Sequence, residues 1–590
     1  MDNKEIASIL KNIAVYKELS GENPFKVRAF EQAARIVESN PAEITEIAKK
    51  GKLREIKGIG KGVEEVILDY ISNGRSSMLV DLKSSFPETI QELLTIPGMG
   101  PKKVKAVWDK LEISDIGELE YACKENRLIT LEGFGQKSQD KILKGIEFIK
   151  LHKDRHLFSY ALETAKDVAE TLKSSNIFGK ISVAGSLRRG KNTFKDIDIV
   201  VVPDDNIENE KIGKTLINLA DRESGTQDVI GAGSTKVSIR RKGIQIDFRI
   251  IKQESYPSAL QHFTGSKEHN TILRSRAKKM GLKMNEYGIF KGETALETET
   301  EEDVYNHIDL SFIPPEIREG QGEIEASEQG KLPALVESPD IRGMIHVHSN
   351  YSDGAHSIEI LAHECINQGY SYLCLSDHSR SAFYANGLSN ERLLAQIEEV
   401  KQLNRKLASG GQAHREQPSF KIFCGIESDI LPDGGLDYPD DILKQLDFVI
   451  ASVHSKLTMG AEEATDRLLT AIKNPYVTIL GHISGRLLLS REGYQYDQDK
   501  ILDALTKNHV VLEHNCNPHR LDPDWQFLKK ASERGIIVSL GPDAHSIDGF
   551  EDMKYGLIMA RKAWLSKKGL LNCMTAGEID EFFKSRKKRG

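Results

Sequence analysis

The chain reads as a multidomain protein with a helical N-terminal region, an α+β middle layer and a C-terminal α/β barrel of seven β/α repeats. Three observations predict this. Residues 1–150 alternate helical periodicity with three short glycine turns, KGIGKG (57–62), PGMGPKK (97–103) and EGFGQKS (132–138), which form an internal repeat. Residues 151 to about 255 mix a helix around 157–174 with the strand-like runs ISVAG, IDIVVV, TKVSIR and IQIDFRII. From 341 onward, seven apolar runs from MIHVHS to IIVSLGPDAH each precede a helical stretch, the alternation of a closed or nearly closed parallel barrel.

The boundaries follow in order. Residues 1–84 hold the first glycine turn and 85–150 the other two. The α+β layer covers 151–255 and a smaller segment 256–318. The run EIREGQGEIEASEQGKLPALVESPD (316–340) is polar, acidic and without apolar period, so 319–340 reads as a linker. The barrel takes 341–590.

Bulk properties exclude some classes. At 590 residues there is length for several cores. A formal net charge of −7, with 24 Lys plus Arg against 24 Asp plus Glu in residues 1–150, excludes a simple electrostatic nucleic-acid binder. Any such contact must be local and carried by backbone. The six cysteines form no CxxC pair, which suits a reducing cytoplasm. The start lacks a basic region followed by an apolar one, and no stretch is long and apolar enough for a bilayer. The expectation is a soluble, cytoplasmic, nucleoid-associated monomer with no membrane partner.

A G-x-G turn between helices needs glycine for its tight backbone and leaves the first amides of the second helix pointing outward. Gly58, Gly60, Gly98, Gly100, Gly133 and Gly135 are those glycines, with Lys61, Lys102 and Lys103 beside them. The three turns resemble the helix-hairpin-helix family, which grips the DNA backbone without reading its sequence. Binding set by DNA ends and gaps, with strong salt dependence, is the expectation.

The most informative string is GSLRRGKNTFKDIDIVVV (185–202). Alternation along a strand puts Asp196 and Asp198 on one face and Ile197 and Ile199 in the core. Two acids so close attract a divalent cation. Gly185 and Ser186 offer backbone amides to a polyphosphate, and Arg188 and Arg189 add fixed positive charge. Together these read as a nucleotidyl-transfer site. Asp247, in GIQIDFRII, supplies a third carboxylate, enough to hold two Mg2+ or Mn2+ ions.

With these motifs in hand, the chain resembles the bacterial family X DNA polymerases, relatives of DNA polymerase beta, that carry a C-terminal PHP domain. The resemblance spans nearly the whole chain. It implies a lyase-like first domain, a fingers-like second, a nucleotidyltransferase palm at 151–255 and a thumb-like segment at 256–318. It implies that Asp196, Asp198 and Asp247 hold metal, and that Ser186 and Arg189 contact the triphosphate of a dNTP. HFTGSKEHNTILR (262–274) is similar to the family's nucleotide-pocket motif, with His262 and Phe263 against the sugar, Gly265 at the turn, and Asn270 and Arg274 toward the minor groove of the new pair. Two departures stand out: Lys195 where many relatives have glycine, and His262 in place of the tyrosine of animal members. Lyase-active relatives carry a nucleophilic lysine where this chain has Val66, so Schiff-base chemistry would need another amine such as Lys61.

In the barrel region His346, His348, Asp353, His378, Glu427, His454, His482, Asp543 and His545 fall at successive strand ends. In parallel barrels chemistry collects there. Nine nitrogen and oxygen donors exceed what one ion uses, and imidazole with carboxylate and no thiolate suits Mn, Zn or Fe. The pattern resembles the PHP phosphoesterases, whose best-endowed members hold three metals. That implies 3′ to 5′ exonuclease action, with apurinic-site endonuclease or 3′ phosphatase action as extensions. Asp377, His356, His514 and His519 are not expected to touch metal, with His514 expected to support a ligand from behind. The whole then reads as an enzyme that fills gaps in primer-template DNA and trims 3′ ends in base excision repair. The rivals are a small-molecule phosphatase barrel fused to a polymerase, and a catalytically silent DNA-end scaffold.

Overall fold

The computed structural model describes residues 3–38, 40, 42–87, 89–96, 98–129, 131–150, 155–220, 228–409 and 420–587. They form two compact units, 1–149 and 150–590.

The first unit is helical. Its three glycine turns share one geometry: the middle residue, Ile59, Met99 or Phe134, is buried, and its N–H donates to the carbonyl three residues back. An apolar plug between two helices forces the chain to reverse within two residues. The first glycine of each turn therefore takes a positive φ of 104°, 95° and 83°. The second, Gly60, Gly100 or Gly135, precedes a helix, Lys61–Asn73, Pro101–Leu111 or Gln136–Lys150. Val66 is buried in the apolar core with Ile67 and Leu10, a position that serves packing.

In the second unit a five-stranded sheet runs in the order 178–183, 196–203, 244–250, 236–241, 229–232. The strand Asp196–Pro203 pairs antiparallel with Phe178–Val183 and parallel with Ile244–Ile250, which sets Asp198 opposite Asp247. Helix Phe158–Ser174 turns Ala161, Ala165, Val168 and Leu172 onto Ile197, Ile199 and Val201. Leu521, Tyr555 and Met559, from the C-terminal region, complete the same core. A smaller subdomain follows with helices Tyr256–Thr264 and Lys267–Lys279 and a capping box at Thr300 and Asp303.

The segment expected to be a linker, 319–340, is instead packed. It contains the helix Glu323–Glu328, and the buried Glu323 carboxylate accepts from Gly320 N, Gln321 N and His269 Nδ1. Val336 enters the barrel core, and Leu332 and Leu335 pack with Trp564 on the smaller subdomain. These apolar residues are too few and too irregularly spaced to mark a periodic element, so composition alone suggested a tether.

Seven parallel strands then follow in chain order, from Gly343–Val347 to Val538–Gly541. A parallel bridge between Val347 and Ala544 joins the last to the first and closes the barrel. Inside, Ile345, Tyr372, Phe423, Phe448, Ile450 and Val511 fill one end, and the C-terminal helix Ala576–Lys587 seals it with Phe583 stacked on Phe448 at 5.1 Å. The carboxyl ends of the strands are left for polar side chains. No helix among the described residues is long and apolar enough to cross a membrane.

Candidate active sites

On the sheet of the second unit, Asp196 is exposed, Asp198 half-buried and Asp247 buried. Burial and repulsion from Asp196 and Asp247 push the Asp198 carboxyl up to about 6, the mark of acids held against one another. Burial also pushes Asp247 upward. Hydrogen bonds from Lys236, Ser238 and Gln245 outweigh it and hold that carboxyl below its usual value. Lys236 Nζ lies 2.7 Å from Asp247 Oδ2. Gly185 sits at φ +60°, and a Cβ there would lie 2.2 Å from Asp198 Oδ2, so only glycine lets the loop close over this carboxylate. Ser186 is half-buried beside it.

The two arginines are engaged inside the protein. Arg188 makes a bidentate pair with Glu301 (2.9 and 2.7 Å) and donates to Thr264 Oγ1. Arg318, fully buried, shares Glu301 and stacks over Tyr305 and Phe312. Arg189 donates through Nε to Glu319 at 3.2 Å and through Nη1 to the Thr264 carbonyl. Gly265, at φ +73°, lets this guanidinium approach, since a Cβ would lie 3.1 Å from Arg189 Nη1. Asn270 is buried with both amide atoms occupied, accepting from Gln261 and donating to the His262 carbonyl. Arg274 donates to the Asn270 carbonyl at 3.3 Å. His262 packs edge-on to Phe263, whose ring lies under Arg249.

In the first unit all six turn glycines are exposed, and no side chain caps the helices that follow Gly60 and Gly100. Lys61 and Lys102 are exposed. Lys103 is tied back, with Nζ 2.7 Å from Ser138 Oγ and over the Phe134 ring.

All nine barrel donors converge. Three sets have ligand atoms within 4.8 Å of one another: His348, Asp353, His378 and His545; His346, His348, Glu427 and Asp543; and His378, Glu427 and His454. His482 Nε2 joins at 2.9 Å from Glu427 Oε1. His346 is a bulged residue with φ +68°, which turns its ring inward between Ile345 and His348, and Asp543 across the closing seam takes φ +55°. Such strain on two non-glycine residues collects at functional sites. Burial and the neighbouring His545 and His378 hold His348 down at about 3. For His454 burial acts downward, but Glu427 and Asp429 raise it to about 10.

The donor set fits metal. His346 Nε2, His348 Nδ1, Asp353 Oδ2, Glu427 Oε2 and His482 Nδ1 are buried without hydrogen-bond partners, although such atoms are costly to leave unmatched. Two further acids orient the histidines: Glu513 Oε2 accepts from His346 Nδ1 at 2.5 Å, and Asp429 pairs with His454 Nδ1. Such partners fix tautomer and ring orientation. The expected support from His514 is corrected. Val511 and Glu513 face the barrel interior, while His514 points the other way and pairs with the Pro523 carbonyl at 3.1 Å. Asp377 is buried among Ser349, Ser352 and Gln396, bracing the loop that carries Asp353.

Comparison with known proteins places this architecture. The description "Helix-hairpin-helix domain" matches residues 1–76 and "SAM-like Helix-hairpin-helix tandem" 90–147. "DNA polymerase beta thumb" matches 259–319 and "PHP domain" 345–517. The protein named DNA polymerase/3'-5' exonuclease PolX from Bacillus subtilis is 39% identical over 590 residues, 99% of this chain and all of that protein. The chain belongs to the bacterial family X DNA polymerases with a C-terminal PHP domain. This polymerase has other relatives: a probable phosphatase of Thermoanaerobacter sp. (strain X514) is 29% identical over 255 residues, 41% of this chain and 95% of that protein. Another, from Caldanaerobacter subterraneus, is 28% identical over 213 residues, 34% of this chain and 74% of that protein.

Proposed function

We propose that the polymerase fills short gaps in DNA from a template at Asp196, Asp198 and Asp247, and removes nucleotides from 3′ ends in the barrel, as a monomer serving base excision repair. The observation that carries this reading is the register that sets Asp198 opposite Asp247, two residues beyond Asp196, in a chain alike over its full length to the B. subtilis protein named for both activities. Divalent cations bound by these carboxylates would supply Lewis acidity to the primer hydroxyl and the triphosphate of the incoming dNTP. The chain's own part is to keep three acids facing one another, with Lys236 beside Asp247 and Gly185 close over Asp198.

In the barrel, His346, His348, Asp353, His378, Glu427, His454, His482, Asp543 and His545 would hold up to three Mn2+, Zn2+ or Fe ions. His348, His378 and Glu427 are each common to two of the three sets. Bound there, the ions would activate water against a phosphodiester. Glu513 and Asp429 hold the rings of His346 and His454 in place for that role.

The test is a pair of variants on a gapped, labelled primer. Asp198→Asn should abolish extension and spare nuclease activity; His346→Ala with His348→Ala should do the reverse. Equal loss of both activities from either change overturns the division. The chain's partial likeness to probable phosphatases supports a second reading, hydrolysis of small phosphomonoesters in the barrel. Faster turnover of a phosphomonoester than of a single-stranded oligonucleotide under Mn2+ would favour it.

A further inference from the structure

The helix Met553–Lys562 belongs to the barrel half of the second unit, yet it lies against the loop Gly185–Gly190. A Cβ on Gly190 (φ +66°) would lie 2.4 Å from Ile558 Cγ2 and 3.3 Å from Met559 Cε. The last residue of that helix, Lys562, is 2% exposed. Its ammonium donates to the Arg189 carbonyl at 2.9 Å, to Glu319 Oε1 at 2.5 Å and to the Glu316 carbonyl at 3.3 Å, which uses all three of its N–H groups. The same Glu319 oxygen accepts from Arg189 Nε. Arg189 is thus held at its backbone and at its side chain by one buried lysine and the carboxylate that lysine orients.

Stability alone is a poor reason for such a triad. A buried ion pair is replaceable by apolar groups of the same shape at little or no cost, whereas removing one partner leaves an uncompensated charge. Burial has also lowered the Lys562 ammonium to about 8, so its neighbours offset only part of the cost of burying it. What the triad does supply is a fixed place for one loop, and that loop carries Ser186 and Arg189.

We propose that Lys562, from the PHP part of the chain, is a positioning residue for nucleotide binding by the polymerase, acting through Glu319 and the Arg189 carbonyl on the loop Gly185–Gly190. This rests on the reading that the loop receives the triphosphate. It makes the barrel part of the polymerase site without touching substrate, and it gives the packed segment 316–323 a role as the clasp between the two.

The experiment is steady-state single-nucleotide incorporation into gapped DNA by the full-length chain, with 3′ exonuclease rate and thermal unfolding measured on the same preparations. Lys562→Met keeps the length and removes the charge. The expected result is a rise in KM for the nucleotide of on the order of tenfold, the equivalent of one charge-assisted hydrogen bond. kcat at saturating nucleotide and exonuclease rate stay at wild-type levels. Lys562→Arg should restore much of the KM. Glu319→Gln, which keeps the shape and an acceptor, should raise KM as Lys562→Met does, and the double variant should add little. Should Lys562→Met fail to fold, Glu319→Gln carries the test alone. A folded variant with unchanged KM, or one that loses kcat and exonuclease rate in proportion, overturns the proposal. A wild-type chain that extends no primer instead sinks the polymerase reading beneath it.

Discussion

Replacing Gly185 with alanine tests the proposed polymerase site through one methyl group. At φ +60° any residue with a Cβ pays about 1–2 kcal/mol for the left-handed conformation. The larger effect is steric. The new carbon would stand 2.2 Å from Asp198 Oδ2, 3.0 Å from its Cγ and 3.1 Å from its Cβ. Rotation of the carboxylate alone does not relieve all three contacts, so the side chain must retreat by on the order of 1 Å, a misplacement that costs about 10²-fold in rate. That is about 3 kcal/mol of barrier. Single-turnover incorporation into a one-nucleotide gap, followed by rapid quench, measures it. Exonuclease rate on the same preparation should be unchanged, since Gly185 lies in the sheet half of the unit. Extension within about threefold of wild type, under 1 kcal/mol of barrier, would refute the reasoning.

Glu513→Gln keeps an acceptor on His346 Nδ1 but removes the charge, and should weaken metal retention by about 10–100-fold, read as metal per chain after dialysis, while extension persists. His514 should contribute an acid limb to stability. Burial depresses its folded value to about 3, so its contribution is complete above the unfolded value of about 6.5 and is lost as pH falls toward 3. Between pH 7 and 5 that is about 2 kcal/mol of unfolding free energy, which denaturant titration of wild type against His514→Gln should resolve as a flatter profile in the variant. Lys61→Ala and Lys102→Ala should each weaken DNA binding evenly across sequences and reduce the salt slope by about 1, whereas Lys103→Ala, already tied to Ser138, should change the slope least.

The candidate residues were legible where local pattern suffices. Asp196 and Asp198 share a face because strands alternate, and the nine barrel donors stand out because histidine and acid recur at strand ends. What stayed hidden depends on distant partners. Arg188 and Arg189 read as free charge beside a phosphate loop, but Glu301 and Glu319, more than a hundred residues away, occupy them. Glu513 and His514 are adjacent, and nothing local says which faces inward; the barrel's curvature decides. Asp429, two residues after Glu427, was within reach of the alternation rule. The packed segment 319–340 escaped because its few apolar residues are irregularly spaced and divide between two cores, Ile324, Leu332 and Leu335 in one and Val336 in the other.

Tyr555 and Met559 fill the hydrophobic interior beneath Ile197 and Ile199, yet they are made roughly 350 residues later. At a synthesis rate of about 5–20 residues per second, the nascent five-stranded sheet waits on the ribosome for about 20–70 s with that interior unfinished. A gene fragment ending before the barrel would leave it bare permanently and should yield aggregates rather than a working half-enzyme.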